Sequence, residues 1–136
     1  MMAVKNILVA TDFGPAADSA IEYGAELART LGATLHLVHV VGDREQPEQA
    51  WQVLDAAVAA MKPVAVTPIV LNSSKTAAAL LHYADTAHID LIIAGTHGSL
   101  GLRDALDFFM GSVAQNLVRN APCPVMTMRG PAAAAA

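Results

Sequence analysis

Leu91-Ile92-Ile93-Ala94-Gly95-Thr96-His97-Gly98-Ser99-Leu100-Gly101 runs from an unbroken apolar segment into a glycine-rich one, and Gly111-Ser112 follows downstream. The apolar part reads as a buried strand and the glycines as a phosphate-sized loop at its end. A residue without a Cβ lets backbone N–H groups approach an anion closely, and a helix start beyond it adds unpaired donors and positive dipole. The same alternation of strand and helix recurs on both sides of this stretch.

Upstream, Val4 to Thr11 is a first strand with a continuous apolar middle, which suits a strand covered on both faces. Pro15 stands where a first helical turn tolerates it, Ala17, Ile21, Gly24, Ala28 and Leu31 recur at helical spacing, and Gly32 suits a left-handed C-terminal cap. Ala33 to Val41 is a second strand. Gly42 to Pro47 is a polar connection, and Trp51, Leu54, Val58 and Met61 mark one face of a second helix that Pro63 ends. Val64 to Leu71 is a third strand, and Pro68 within it predicts a sheet edge, where a missing N–H faces no partner.

Asn72-Ser73-Ser74 supplies cap candidates for a third helix whose Leu80, Leu81, Ala84 and Ala87 face inward. Ile89 to Gly95 is the fourth strand, a fourth helix runs from near Gly111-Ser112 to about Asn120, and Pro124 to Met128 is the fifth strand. Strands separated by helices need crossover connections, so the expected class is α/β: an open, doubly wound parallel five-stranded sheet with helices on both faces. Ligands in such sheets bind at the carboxyl ends of strands where chain order reverses, which directs attention to the loops after the first and fourth strands.

The length of 136 residues, with 54% hydrophobic and 15% charged residues, predicts one domain over residues 1–130. The alanine run 131–136 offers nothing to a core and reads as a frayed tail. A net charge of −4, with the 8 Lys and Arg scattered, offers no basic stripe for nucleic acid or anionic lipid. No apolar stretch approaches membrane-spanning length and no signal peptide stands at the start, so the expected location is cytoplasmic. The lone Cys123 excludes an internal disulfide and reads as a small packed side chain rather than a reactive thiol.

Asp12, directly after the first strand, has two readings. It is a helix cap, or its carboxylate accepts from ribose hydroxyls or an adenine amino group, or helps hold a divalent ion beside phosphates. The glycine loop is not a P-loop, because no lysine follows Lys75, and it is not a dinucleotide fingerprint, which would open after the first strand. Phosphate charge would be met by backbone amides, Ser99, Ser112, Arg103 or a metal ion. His97 is a backbone-orienting residue or a phosphate partner before it is a base, since no nucleophile adjoins it. His36 and His39 point to opposite faces of one strand, cannot share a metal, and read as core or surface residues. No Ser-His-Asp or paired-carboxylate arrangement stands out.

Taken together, Ile7-Leu8-Val9-Ala10-Thr11-Asp12-Phe13, Leu37-Val38-His39-Val40, Asp90 to Gly98, Gly111-Ser112-Val113 and Ala121-Pro122-Cys123-Pro124-Val125 resemble the universal stress protein family over about residues 4 to 129. The resemblance implies strand order 3-2-1-4-5 and, in the ATP-binding branch, a nucleotide held between the loops after strands one and four. It implies that Ala10, Thr11 and Asp12 meet adenosine, that Val40 lies beside the adenine, and that Gly95, His97, Gly98, Gly111, Ser112 and Val113 surround ribose and phosphates. It also implies a homodimer through the fifth strand, Val125, Met126, Thr127 and Met128, which carries no charge to protect an exposed edge.

The branch motif is Gly-x2-Gly-x9-Gly-[Ser/Thr], whereas twelve residues separate Gly98 from Gly111 here, so the phosphate loop is three residues longer. The extra residues fall within Arg103 to Met110, as a lid over the site or a surface turn. The expected protein is a small stress-related ATP-binding module, with or without Mg²⁺, whose hydrolysis is at most slow because no residue is evident to align water. The alternative is a non-nucleotide-binding member of the family acting as a dimeric interaction module. A metal-dependent or hydrolytic enzyme on the same fold lacks a residue constellation.

Overall fold

The computed structural model describes residues 3–96 and 111–130. His97, Gly98, Ser99, the Arg103 to Met110 segment read as a lid or a surface turn, and residues 131–136 lie outside the described residues.

The chain alternates β1 (Asn6–Ala10), α1 (Pro15–Leu31), β2 (Thr34–Val41), α2 (Pro47–Ala59), β3 (Val66–Asn72), α3 (Thr76–Thr86), β4 (Leu91–Gly95), α4 (Ser112–Asn120) and β5 (Val125–Met128). The strands form one five-stranded sheet in the order β3-β2-β1-β4-β5, with every adjacent pair parallel. Both the α/β class and the order agree with the reading of the sequence. Pro68 explains why β3 takes the edge. Leu35 N–H donates to Ala65 O and Ser73 N–H to Val41 O, so odd-numbered residues of β3 bond to β2 and position 68 faces outward, where a missing donor costs nothing.

Period-two alternation sorts the strand residues between two cores. Ile7, Val9, Leu35, Leu37, Leu91 and Ile93 pack against Ala20, Ala25 and Ala28 of α1 and Leu54 of α2. Leu8, Val38, Val40, Ile92 and Ala94 pack on the other face against Leu80 and Ala84 of α3 and Leu117 of α4. Each fully buried Leu or Ile contributes roughly 1.5–3 kcal/mol of transfer free energy, so both faces of the central strands are committed. Helix α1 lies close to the sheet because its inner face is small. A Cβ on Gly24 would stand 2.6 Å from Val9 Cγ2.

Local chemistry sets the ends. Helix α1 starts at Pro15 behind Gly14, and Gly32 closes it at φ 67° with its N–H on Ala28 O. Helix α3 ends with His88 at φ 55°; Ile89 N–H bonds to Ala84 O and His88 N–H to Asp85 O, a Schellman closure in which a histidine takes the usual glycine place.

Several sequence-based details are corrected. Helix α2 stops at Ala59, before Pro63 can act, and Asn72 belongs to β3, leaving Lys75 at the start of α3 without a side-chain cap. Ser73 instead accepts from Lys75 N–H. Leu31 and Trp51, assigned to inner faces, are 48% and 38% exposed.

Candidate functional site

A cleft of about 620 Å³ opens at the carboxyl ends of β1, β2 and β4. Chain order reverses there: β1 leads outward to β2 and β3, and β4 returns to the other side of β1. Strand ends splay at such a point and leave a crevice between the loops. The volume is that of a typical small-ligand pocket.

One wall is the loop after β1. Ala10, Thr11, Asp12 and Phe13 line the cleft. Asp12 Oδ1 accepts from Gly14 N–H at 2.9 Å, and Phe13 N–H donates to Thr11 Oγ1 at 2.9 Å. Asp12 is therefore an Asx-type turn residue two positions ahead of the N-cap, Gly14. Its Oδ2 has no hydrogen-bond partner among the described residues. The helix-cap reading of Asp12 is corrected, since Gly14 is the N-cap and Asp12 shapes the turn before it. Phe13 holds a left-handed φ of 66°, uncommon for a bulky residue.

The opposite wall is the start of α4. Gly111 is its N-cap, with no side-chain cap bond, and Gly111, Ser112, Val113 and Ala114 all line the cleft. The first helical bond runs from Gln115 N–H to Gly111 O, so the N–H groups of Ser112, Val113 and Ala114 have no intrahelical acceptor. Donors without an intrahelical acceptor and the positive end of the helix dipole make this wall anion-accepting. Gly111 is tied back by donating to Thr96 O. Thr96 also lines the cleft, and its buried Oγ1 has no hydrogen-bond partner among the described residues.

The floor and apolar side come from Val38, Val40, Ala94 and Leu80, with Val40 only 8% exposed. Among the described lining residues the charged groups are Asp12 and Glu45, both carboxylates, and no Lys or Arg contributes. The cleft is thus polarised, with acceptors on the β1 and β2 side and backbone donors on the α4 side. No group of three or more His, Cys, Asp and Glu residues among the described ones is arranged to hold a metal.

Of the residues the sequence singled out, Ala10, Thr11, Asp12, Val40, Gly95, Gly111, Ser112 and Val113 are brought together at this cleft. Gly95 has a packing role as well. A Cβ on it would lie 2.8 Å from Ala16 Cβ and 3.0 Å from Ala16 C, so its bareness lets the start of α1 pack on β4. Val125, Met126, Thr127 and Met128 lie on β5, at the sheet edge.

Sequence reasoning missed Phe13, His39 and Glu45. His39 is 6% exposed and lines the cleft. Its signal in the sequence was only a histidine near the end of an otherwise apolar strand. His36 points to the other face, within hydrogen-bond distance of Tyr83 Oη and Asn6 Oδ1, and burial lowers its pKa. That environment favours a neutral structural ring. Cys123 packs against the second core. Burial, and secondarily the charge of Asp90, push its thiol pKa up against a weaker opposing hydrogen bond from Ile92, so the protonated, unreactive form prevails.

The universal stress protein family model matches residues 3–129. A universal stress protein A homolog of Coxiella burnetii is 29% identical over 145 residues, covering 93% of this chain and 97% of that protein. Among solved structures, a universal stress protein family member from Burkholderia pseudomallei is 28% identical with a TM-score of 0.73, covering 94% of this chain and 98% of the other. The universal stress protein from Archaeoglobus fulgidus in complex with dAMP is 25% identical with a TM-score of 0.72, covering 93% and 99%.

Proposed function

Because this chain belongs to the universal stress protein family, we propose that it is a nucleotide-binding module that holds ATP in the cleft at the ends of β1, β2 and β4. The observation that carries this reading is the polarised cleft: Asp12 lines one side, and the N–H groups of Ser112, Val113 and Ala114, which have no intrahelical acceptor, belong to residues lining the other. Ribose hydroxyls donate to Asp12, the adenine lies against Ala10 and Val40, and the phosphates meet the α4 start with Gly111 and the Ser112 hydroxyl. Gly95 contributes its backbone. The dAMP complex of the Archaeoglobus fulgidus relative supports an adenine nucleotide as the ligand class.

The donor set suits Mg²⁺ carried in on the phosphates rather than a resident metal, since carboxylates are few and the phosphates supply oxygens. Binding rather than turnover is the function, with occupancy as a regulatory signal in the cytoplasm. A partner of nucleic acid or anionic lipid is not part of this reading, since the 8 Lys and Arg are scattered along a chain of net charge −4. The functional unit is one domain, residues 1–130. Denaturing the freshly purified protein and analysing the supernatant by mass spectrometry tests this reading. Release of ATP supports it, and a supernatant without any adenine nucleotide counts against it.

The dimer forms through β5. Ile92 N–H donates to Pro124 O and Thr96 N–H to Met128 O, so even-numbered residues of β5 bond to β4 while Val125 and Thr127 present N–H and C=O groups outward. Met126 and Met128 pack on the first core, which leaves Thr127 as the position that tests the edge without disturbing the interior. Thr127→Pro removes an outward donor and is expected to convert the dimer to monomer in analytical ultracentrifugation with the far-UV spectrum unchanged. A variant as dimeric as the wild type places the interface elsewhere.

A further inference from the structure

Phe13, the residue after Asp12, holds a backbone conformation that its own side chain disfavours. Its φ is 66°, in the left-handed region where the Cβ of an L-residue crowds the following carbonyl oxygen and the population falls about tenfold. Among the described residues the other non-glycine case is His88, which closes α3. Phe13 closes no helix. It stands between β1 and α1, and the glycine that would take this conformation freely, Gly14, comes one position later with an extended backbone.

Both ends of this link are fixed. Thr11 N–H donates to Val38 O at 2.9 Å and Thr11 O accepts from His39 Nδ1 at 2.6 Å, so the residue before Asp12 is tied to β2. Gly14 O accepts the first bond of α1, from Asp18 N–H at 2.9 Å. Asp12 and Phe13 make the turn between these two frames, and the surroundings of Phe13 offset its cost. The Phe13 ring packs on the ring of His39, centroids 4.4 Å apart, and against the first core. His39 is itself buried, with Nε2 2.8 Å from Glu45 Oε2, so the surface under the Phe13 ring is held in place. With Phe13 half-buried there, Asp12 is left exposed at the cleft.

We propose that Phe13 is a positioning residue: its ring, seated on His39, holds the left-handed turn that presents the Asp12 carboxylate to the nucleotide. The proposal rests on the nucleotide-binding reading of the cleft and deepens it by naming what fixes Asp12 before the ligand arrives. A disfavoured conformation held from several sides next to a binding group is strain used for preorganisation.

The test compares Phe13→Ala and Phe13→Gly with the wild type, by calorimetric titration of ATP and by thermal scans of the unliganded proteins. Both variants lose the ring, but alanine keeps the left-handed penalty and glycine does not. Phe13→Ala is expected to bind ATP about tenfold more weakly than the wild type and Phe13→Gly only about threefold more weakly. The thermal midpoint of Phe13→Gly is expected at or above that of Phe13→Ala, the reverse of the usual order, in which glycine loses more chain entropy on folding. Loss of packing alone would weaken the two variants equally, or glycine more. Either of those results, or wild-type affinity in Phe13→Ala, overturns the positioning role while the nucleotide reading stands. If the wild type binds no ATP, the nucleotide reading fails and the ligand part of the proposal with it. A Phe13→Ala midpoint above that of Phe13→Gly would remove the left-handed turn as well.

Discussion

Gly95→Val is expected to lower the thermal midpoint by roughly 10 °C, from a loss of about 3 kcal/mol. Valine is ordinarily favourable in a strand, so intrinsic propensity predicts the opposite sign. Packing decides. The added Cβ alone would stand 2.8 Å from Ala16 Cβ, 3.0 Å from Ala16 C and 3.2 Å from Ala16 O. Two of those atoms are backbone at the start of α1, so no rotamer change relieves the clash, and the helix must lift from β4. Gly42→Ala is the control: nothing lies within 4 Å of the Cβ it would add, and its midpoint is expected to stay near the wild type. Thermal scans followed by circular dichroism check both. A Gly95→Val protein as stable as the wild type would show that the approach of α1 to β4 does not depend on this glycine.

The Asp12 pair of substitutions separates shape from charge. Asp12→Asn keeps an oxygen to accept from Gly14 N–H, the 2.9 Å bond that shapes the turn, but removes the negative charge that ribose hydroxyls meet. Its fold is expected to match the wild type while ATP affinity falls about tenfold. Asp12→Ala also removes the turn bond, so affinity falls roughly 10- to 100-fold and about 1 kcal/mol of stability goes with it. Titration calorimetry and thermal scans on the same samples give the two readouts. Wild-type affinity in both variants would mean that the carboxylate serves the turn alone.

Much of this architecture was legible because it rests on local signals that the fold does not override. The alternation of apolar strands with amphipathic helices requires parallel crossovers, and Pro68 places its own strand at an edge, where β3 is found. Pro15 and Gly32 bracket α1 as read. The misplacements have physical causes. Leu31 and Trp51 fit a helical period, but Leu31 is the last residue of α1 and Trp51 lies in the early turns of α2, and both stand partly exposed. Asn72 carries turn chemistry, yet pairing with Val41 extends β3 through it.

The cleft was legible in its location and only partly in its workings. Strand ends and glycines pointed to the right loops, since topology puts them at one crevice. The reason for Gly95 depends on how closely α1 approaches β4, a distance no spacing reveals. The His39, Glu45 and Phe13 contacts join three segments through tertiary geometry alone, and a strand histidine gives no local sign of such partners. Met126 and Thr127 differ in role through strand parity, which became readable only once the register of β5 against β4 was known.

Calorimetric titration of ATP into nucleotide-stripped protein decides whether this cleft holds an adenine nucleotide. Saturable heat is expected at a single site per chain, competed by AMP and weakened in Asp12→Asn. Absence of heat at two well-separated temperatures would contradict it, because burial of a base changes the heat capacity and binding cannot stay silent at both.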